Sequence, residues 1–294
     1  MAVRSIPSIV YTEEGSFVTK IKLLHSHIRN YIQAVFADCL LREGFRCVSD
    51  DMLSWYRIRG TIVNSLSFFT LLNRIPVELK IAYGIHPLFA PPYFINKAFI
   101  SNYPLNDETF SIRFITEDVP VNSMNYSPFA EDALVYAPGN AGRGIYTLEG
   151  IILPQMDGVT TISDCYLFHK KRYLDYSLRP LEREYLKIHP NISELEIRLK
   201  TVSDLFIEEA IYENDSELLP YLQILIDERI SAESQILALQ PQNTQSIHIL
   251  HQYKIMANVI ANKEISEYRN ALDQRLKRNL EIYTLFKSSD NKSE

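Results

Sequence analysis

The spacing of apolar residues near the start of the chain indicates a helix. From Ser16 onward, apolar residues recur at intervals of three and four positions: Val18, Ile21, Leu24, Ile28, Ile32, Val35 and Cys39. Residues with this spacing form one stripe along a helix. Gly44 is a suitable end point, because the residue after a helix often adopts a left-handed conformation. We therefore predict an opening helix that stops at Gly44.

The next part of the chain has the pattern of strands. We predict them in Phe45–Val48, Met52–Arg59, Thr61–Leu72 and Pro76–Phe89. In the last segment, one predicted face holds Val77, Leu79, Ile81, Tyr83 and Ile85, and the other holds Glu78, Lys80, Ala82, Gly84 and His86. Period-two alternation of this kind is typical of an antiparallel sheet covered on one face. We expect the opening helix to be that cover.

The C-terminal part contains the signals of helices only. All nine glycines lie at or before Gly158, so the rest of the chain lacks the residue that hairpins most often use. Ser193 and Glu196 fit a capping box, and the helix they open is predicted to reach about Glu213. Pro220 suits the first turn of the next helix, which Pro241 ends.

These patterns together predict an α+β protein of two domains. Residues 1–160 form an N-terminal helix packed on an antiparallel sheet. Residues 161–294 form an all-α domain, either a helical bundle or a set of hairpins, because short connections favour antiparallel neighbours.

Composition and charge argue against several classes of function. The formal net charge of −6 argues against a broad nucleic-acid-binding face, and no apolar run is long enough to span a membrane. The opening residues have no apolar core typical of a secretory signal. Three cysteines without a Cys-x-x-Cys pair indicate reduced thiols and a cytoplasmic protein. The sequence predicts no metal site and no cofactor.

Several short motifs in the first part follow a familiar order. They are Gly44-Phe45, Tyr56-Arg57, the strand Ile62–Phe69, Gly84-Ile85-His86-Pro87-Leu88, and Ile152-Leu153-Pro154-Gln155-Met156-Asp157. This order resembles the bacterial domain-of-unknown-function 4304 family over roughly Phe17 to Tyr173. The resemblance implies a bacterial, intracellular α+β domain and implies no reaction. It does not extend to the helical C-terminal part.

One pair of residues suggests catalysis. Glu78 and Lys80 are two positions apart on a predicted strand, so both side chains fall on one face. Metal-dependent nucleases use such a carboxylate to hold a divalent cation and such a lysine to position water. They also need an upstream aspartate, for which Asp50 and Asp51 are the candidates. The alternative is an exposed cross-strand ion pair on the sheet.

The segment before residue 150 offers features that suit binding. The glycine-dense stretch Gly139–Gly144, with Arg143, could hold an anion or small ligand or could serve as a flexible connector. Aromatic residues cluster around it: Tyr126, Phe129, Tyr136 and Tyr146. Tyrosine suits interfaces because it combines a large rigid surface with one polar tip.

Our preferred hypothesis is a non-enzymatic protein that acts by protein–protein recognition, in defence or toxin neutralisation, through these aromatic residues and Arg143. The first alternative is the nuclease centred on Glu78 and Lys80. The second alternative is an anion or small-ligand sensor that uses Gly139–Gly144. Cys165, near the start of a predicted helix, has no base beside it in the sequence that would activate it.

Overall fold

The structure divides into two compact units. The computed structural model describes residues 29–48, 52–70, 78–90, 133–135, 144–146, 148–174, 178, 180–200 and 202–285. One unit comprises Met1–Thr161 together with Glu281–Glu294, and the other comprises Ile162–Leu280. We call them the sheet unit and the helical unit. Strands in the first and helices throughout the second confirm the predicted α+β class.

The sheet is antiparallel throughout, as predicted. Its strands occur in spatial order β1 (Arg46–Cys47), β2 (Ser54–Arg59), β3 (Ile62–Thr70), β4 (Glu78–Pro87) and β5 (Ala133–Val135). Trp55 lies opposite Leu66, which in turn lies opposite Tyr83. β5 lies outside the strands that the sequence pattern identified. Gly60 has a φ of +59° where β2 turns into β3, a conformation that glycine adopts without strain.

The predicted opening helix covers one face of the sheet. Residues 29–35 are helical and lead into α1 (Ala37–Arg42). Gly44 follows with a φ of +79°, which confirms the predicted end of the helix. The ring of Phe36 lies 5.0 Å from the ring of Phe68, centroid to centroid, and both side chains are fully buried.

A second short helix reaches the same face. Residues 144–146 form a helical turn, and a π-helical turn (Leu148–Ile152) continues directly into α2 (Leu153–Asp157). The hydroxyl of Tyr83 donates to Oε1 of Gln155 over 2.6 Å. α2 thus extends the cover that the opening helix provides.

The expectation that only one face of the sheet is covered is wrong. Tyr56, Ser65 and His86, which the register places on the other face, are also buried. The hydroxyl of Tyr56 donates to the backbone carbonyl of Tyr283, and the two rings lie 5.1 Å apart. The contact with Tyr56 comes from the last turn of the final helix, far along the chain, so the local strand pattern carries no sign of it.

A buried arginine lies within the sheet unit. Arg57 Nε donates to Oδ1 of Asn64 over 2.9 Å, and Nη1 donates to the backbone carbonyl of Glu43 over 3.3 Å. Its Nη2 forms an ion pair with Asp157, which also accepts from Arg59 over 2.7 Å. The guanidinium is therefore hydrogen-bonded to the opening helix, to β3 and to α2.

The described residues of the helical unit contain seven helices. They are α3 (Ile162–Leu174), α4 (Pro180–Ile188), α5 (Glu194–Leu199), α6 (Asp204–Glu213), α7 (Leu219–Leu239), α8 (Thr244–Asn262) and α9 (Ile265–Leu285), the last of which enters the sheet unit from Glu281. The predicted capping box is confirmed. Glu196 N donates to Ser193 Oγ over 3.1 Å, and Ser193 N donates to Glu196 Oε2 over 2.5 Å.

The prediction of one helix from the Ser193 cap to about Glu213 is wrong, because the structure has two helices there. α5 ends at Leu199, and α6 begins after a new cap, in which Phe206 N donates to Ser203 Oγ over 3.3 Å. Ser203 has extended backbone angles, so the helix cannot run through it. Pro220 in the first turn of α7 and the end of α7 before Pro241 agree with the prediction.

The core of the helical unit is apolar and continuous. Phe206, Ile207 and Ile211 from α6 pack with Leu222 from α7 and Met256 from α8, all of them fully buried. Among the described helices, none combines the length and the apolar character needed to cross a lipid bilayer.

Candidate functional site

The catalytic pair proposed from the sequence lies in β4. Glu78 is paired with Val135 of β5, and Lys80 lies between Phe69 of β3 and Ala133 of β5. The contacts of these two side chains, and the positions of Asp50 and Asp51, lie outside the described part of the structure. The nuclease hypothesis therefore stays a prediction.

Most of the predicted binding residues also lie outside the described residues: Tyr126, Phe129, Tyr136 and Arg143. Of the glycine-dense stretch, only Gly144 is described, and it is buried at the start of a helical turn. Tyr146 is described and is 69% exposed. Its ring lies beside Gly150, where an added Cβ would come within 3.4 Å of it. Tyr146 therefore presents most of its surface to solvent.

The helical unit brings together three residues that can bind a metal ion. Cys165 and His169 lie four positions apart on α3, a spacing that places them on one face of the helix, and Glu209 comes from α6. Their sulfur, nitrogen and oxygen ligand atoms all lie within 4.8 Å of one another. All three side chains are buried. We call this group the Cys-His-Glu cluster.

Both oxygens of Glu209 are engaged within the cluster. The Cys165 thiol donates to Oε1 over 3.4 Å, and His169 Nδ1 lies 2.6 Å from Oε2. Because a carboxylate only accepts, Nδ1 carries the proton in that bond. Burial, followed by the nearby charge of Glu209, raises the pKa of Cys165 well above its usual value. The sulfur is therefore a thiol here and is not an activated nucleophile.

A second polar contact holds α3 in place through the residues that directly follow Cys165 and His169 in the chain. Asp215, just after α6, accepts from Tyr166 and Lys170 of α3, each over 2.5 Å. It also accepts from the backbone amide of Leu218 over 3.0 Å. Burial acts to raise the pKa of Asp215, but the bonds from Lys170 and Tyr166 outweigh it, so the pKa is lowered. The carboxylate is ionised and fixes the register of α3 against the loop after α6.

Helix α4 carries an exposed row of large apolar residues. Leu181 is 83% exposed and Ile188 is 73% exposed, and Tyr185 between them is also exposed. These residues have the spacing i, i+4 and i+7, so they form one stripe on the helix. Lys200 places its ammonium 5.6 Å from the centre of the Tyr185 ring. We call these three residues the α4 stripe.

Sequence reasoning missed both of these features. The spacing of Cys165 and His169 was visible as a Cys-x-x-x-His on one helical face, but Glu209 is 40 positions beyond His169. The α4 stripe was visible as periodic apolar residues, which are typical of a buried helix face. Only the tertiary structure shows that this face is exposed.

Comparisons with protein-family models, with curated proteins and with solved structures found no match. The resemblance of the first part to the domain-of-unknown-function 4304 family therefore stays a prediction.

Proposed function

We propose that this chain is a non-enzymatic bacterial protein that acts in the cytoplasm by binding a protein partner, and that the α4 stripe enters an apolar groove on that partner. The observation that supports this proposal is the exposure of the whole stripe. None of the nine residues Pro180–Ile188 is buried.

The physical argument concerns the stability of a short helix. An isolated helix of nine residues is marginal in water, and most helices in proteins are stabilised by burying an apolar face. α4 has such a face and leaves it in solvent. Anchors at i, i+4 and i+7 are the pattern by which amphipathic helices bind grooves in other proteins. A partner that buries Leu181, Tyr185 and Ile188 would supply the missing stabilisation.

The charges on α4 indicate the character of the partner. Its two acids and two bases, Glu182, Arg183, Glu184 and Lys187, cancel, and Lys187 pairs with Glu184 over 2.6 Å. An interface formed by a neutral helix gains little from long-range attraction. We expect binding that changes little with salt. A helix that binds an anionic lipid surface would instead carry excess lysine or arginine, and α4 does not.

The experiment places a photo-crosslinking amino acid at Leu181 in the expressed full-length chain. The matched control carries it at Lys187, which is exposed on the same helix but lies off the stripe. We expect one discrete protein adduct from position 181 and none from position 187. Adducts of equal yield from both positions, adducts only with lipid, or no adduct would contradict the proposal. An adduct of this chain with itself would replace the separate partner by self-association.

The identified partner is then purified and its affinity is measured against variants. Leu181→Ser and Ile188→Ser remove apolar surface from the stripe, and we expect each to weaken binding about tenfold or more. Lys187→Ser introduces the same residue on the same helix and should change the affinity less than about twofold. Equal effects at all three positions would mean that helix stability, rather than the stripe, governs binding.

A further inference from the structure

We propose that Cys165, His169 and Glu209 bind one zinc ion that joins α3 to α6 inside the helical unit. This inference is independent of the proposed partner binding. It rests on the position, chemistry and charge of three side chains from two helices.

The positions of the three donor atoms suit a tetrahedral ion. Zinc binds sulfur, nitrogen and oxygen donors at about 2.0–2.3 Å, which places neighbouring donors about 3.3–3.6 Å apart. The sulfur of Cys165 and Oε1 of Glu209 are already 3.4 Å apart. His169 Nδ1 is 2.6 Å from the other carboxylate oxygen, Oε2, so this hydrogen bond must break and one of the two groups must turn before both bind the same ion. A small rotation of the imidazole or carboxylate provides that change.

The donor set favours zinc over magnesium and calcium. Magnesium and calcium take oxygen ligands and avoid thiolates and imidazoles. Thiolates, imidazoles and carboxylates are all established zinc ligands. Three protein ligands leave one tetrahedral position, which a water molecule can take.

The charges of the cluster also balance with zinc. On binding, the thiol of Cys165 releases its proton and becomes a thiolate, and Glu209 binds the ion as a carboxylate. With a neutral imidazole, these two negative charges equal the charge of the ion. The centre is then neutral overall, as a buried site requires, since isolated buried charges are costly. The proton lost by the thiol passes to solvent. The imidazole stays neutral, because Nε2 takes up a proton as Nδ1 gives one up.

The first experiment measures the metal in the full-length protein, expressed without a polyhistidine tag. We expect about one zinc per chain by plasma mass spectrometry, in line with a single three-ligand centre. After removal of zinc by a chelator, cobalt(II) should bind with the same stoichiometry. Its spectrum should show a thiolate-to-cobalt charge-transfer band and the visible bands typical of tetrahedral cobalt.

Matched variants assign the ligands. Cys165→Ser should remove the charge-transfer band, and His169→Gln and Glu209→Gln should each weaken cobalt binding about tenfold or more. The controls are Cys39→Ser, a buried cysteine of the sheet unit, and His251→Gln, an exposed histidine of α8. Both controls should retain the band and the affinity. Circular dichroism establishes that each variant keeps its helices.

A second measurement needs no variant. X-ray absorption at the zinc edge of the wild-type protein should show one sulfur ligand, with nitrogen or oxygen in the other positions. A shell without sulfur, or with more than one sulfur, would overturn the assignment. So would the absence of bound metal after zinc is added, a cobalt band that survives Cys165→Ser, or iron or copper in place of zinc.

Discussion

Arg57 in the sheet unit and Glu209 in the helical unit are both buried charged side chains, and they are neutralised in different ways. The carboxylate that pairs most closely with Arg57 reaches solvent, because Asp157 is 42% exposed. The partners of Glu209 are themselves buried, and both can gain or lose a proton.

The charge of Arg57 is therefore fixed, whereas the charge state of the cluster around Glu209 can change. An arginine keeps its proton in proteins, so the positive charge of Arg57 has to be stabilised by carboxylate and carbonyl oxygens that accept its hydrogen bonds. His169 can be neutral or charged, and Cys165 can be a thiol or a thiolate. The helical unit can therefore change the charge state of its buried cluster, which is what metal binding requires.

The comparison can be tested separately in each unit. Trp55, the single tryptophan of the chain, is buried in the sheet unit, so its fluorescence reports the unfolding of that unit. The far-ultraviolet circular dichroism reports mainly the helices. Urea unfolding followed by both signals gives a free energy of unfolding for each unit.

We expect the largest effect from Asp157→Ala. This change leaves the guanidinium of Arg57 buried without its closest countercharge. Breaking a fully buried pair costs about 3–5 kcal/mol, and the partial exposure of Asp157 reduces this to about 2–3 kcal/mol. Tryptophan fluorescence should show the loss, whereas the helical signal should not move. An unchanged midpoint would mean that Glu43 and Asn64 neutralise Arg57 without Asp157.

We expect a smaller effect from Glu209→Gln in the metal-free protein, about 1–2 kcal/mol. The glutamine keeps an acceptor for the Cys165 thiol, and His169 can stay neutral beside it. The loss should appear in the circular dichroism signal. A loss larger than that of Asp157→Ala would contradict the distinction between fixed and adaptable charges.

Asp215→Asn tests a carboxylate of the helical unit whose positive partner is fixed. We expect a loss of about 1–2 kcal/mol near neutral pH, because the charged bond from Lys170 is removed. The folded pKa of Asp215 lies below its unfolded value. Its contribution is therefore present above the unfolded pKa of about 3.9 and is lost as the pH falls through the folded pKa. The difference in the free energy of unfolding between wild type and variant should become smaller in acid. A difference that stays constant with pH would rule out this explanation.

The smallest effect is expected from Arg59→Met. Arg59 binds the same oxygen of Asp157 as Arg57 does, but its own side chain is exposed. Exposed ion pairs contribute little, so the free energy of unfolding should change by no more than about 0.5 kcal/mol. This variant is the control for Asp157→Ala, since it removes a cation from the same carboxylate without leaving a buried charge.

Local sequence signals were sufficient to predict those helix ends and caps whose physical cause lies within a few residues. Gly44 ends the opening helix because of its own backbone conformation, and Ser193 caps α5 through residues three positions away. The same kind of signal was present at Ser203, but the apolar spacing across it favoured one continuous helix. The cap of Ser203 and its extended backbone decide the break.

Sequence patterns could not predict contacts between residues that are far apart in the chain. Tyr56, on the second face of the sheet, is contacted by Tyr283, and the third member of the Cys-His-Glu cluster comes from another helix. An alternating strand shows which residues share a face, but it does not show what packs on each face. The apolar spacing on α4 similarly does not show that nothing within the described helical unit buries this side of the helix.

The contact between Tyr56 and Tyr283 also sets an order of events during synthesis. The two residues are 227 positions apart, and the whole helical unit lies between them in the chain. At about 5–20 residues per second, the ribosome delivers Tyr283 roughly 10–45 s after Tyr56. The helical unit can fold in that interval, so the unit whose residues are made first is completed last. The same face of the sheet as Tyr56 carries three serines, Ser54, Ser65 and Ser67. Their hydroxyls can hydrogen-bond to water until the final helix has been made.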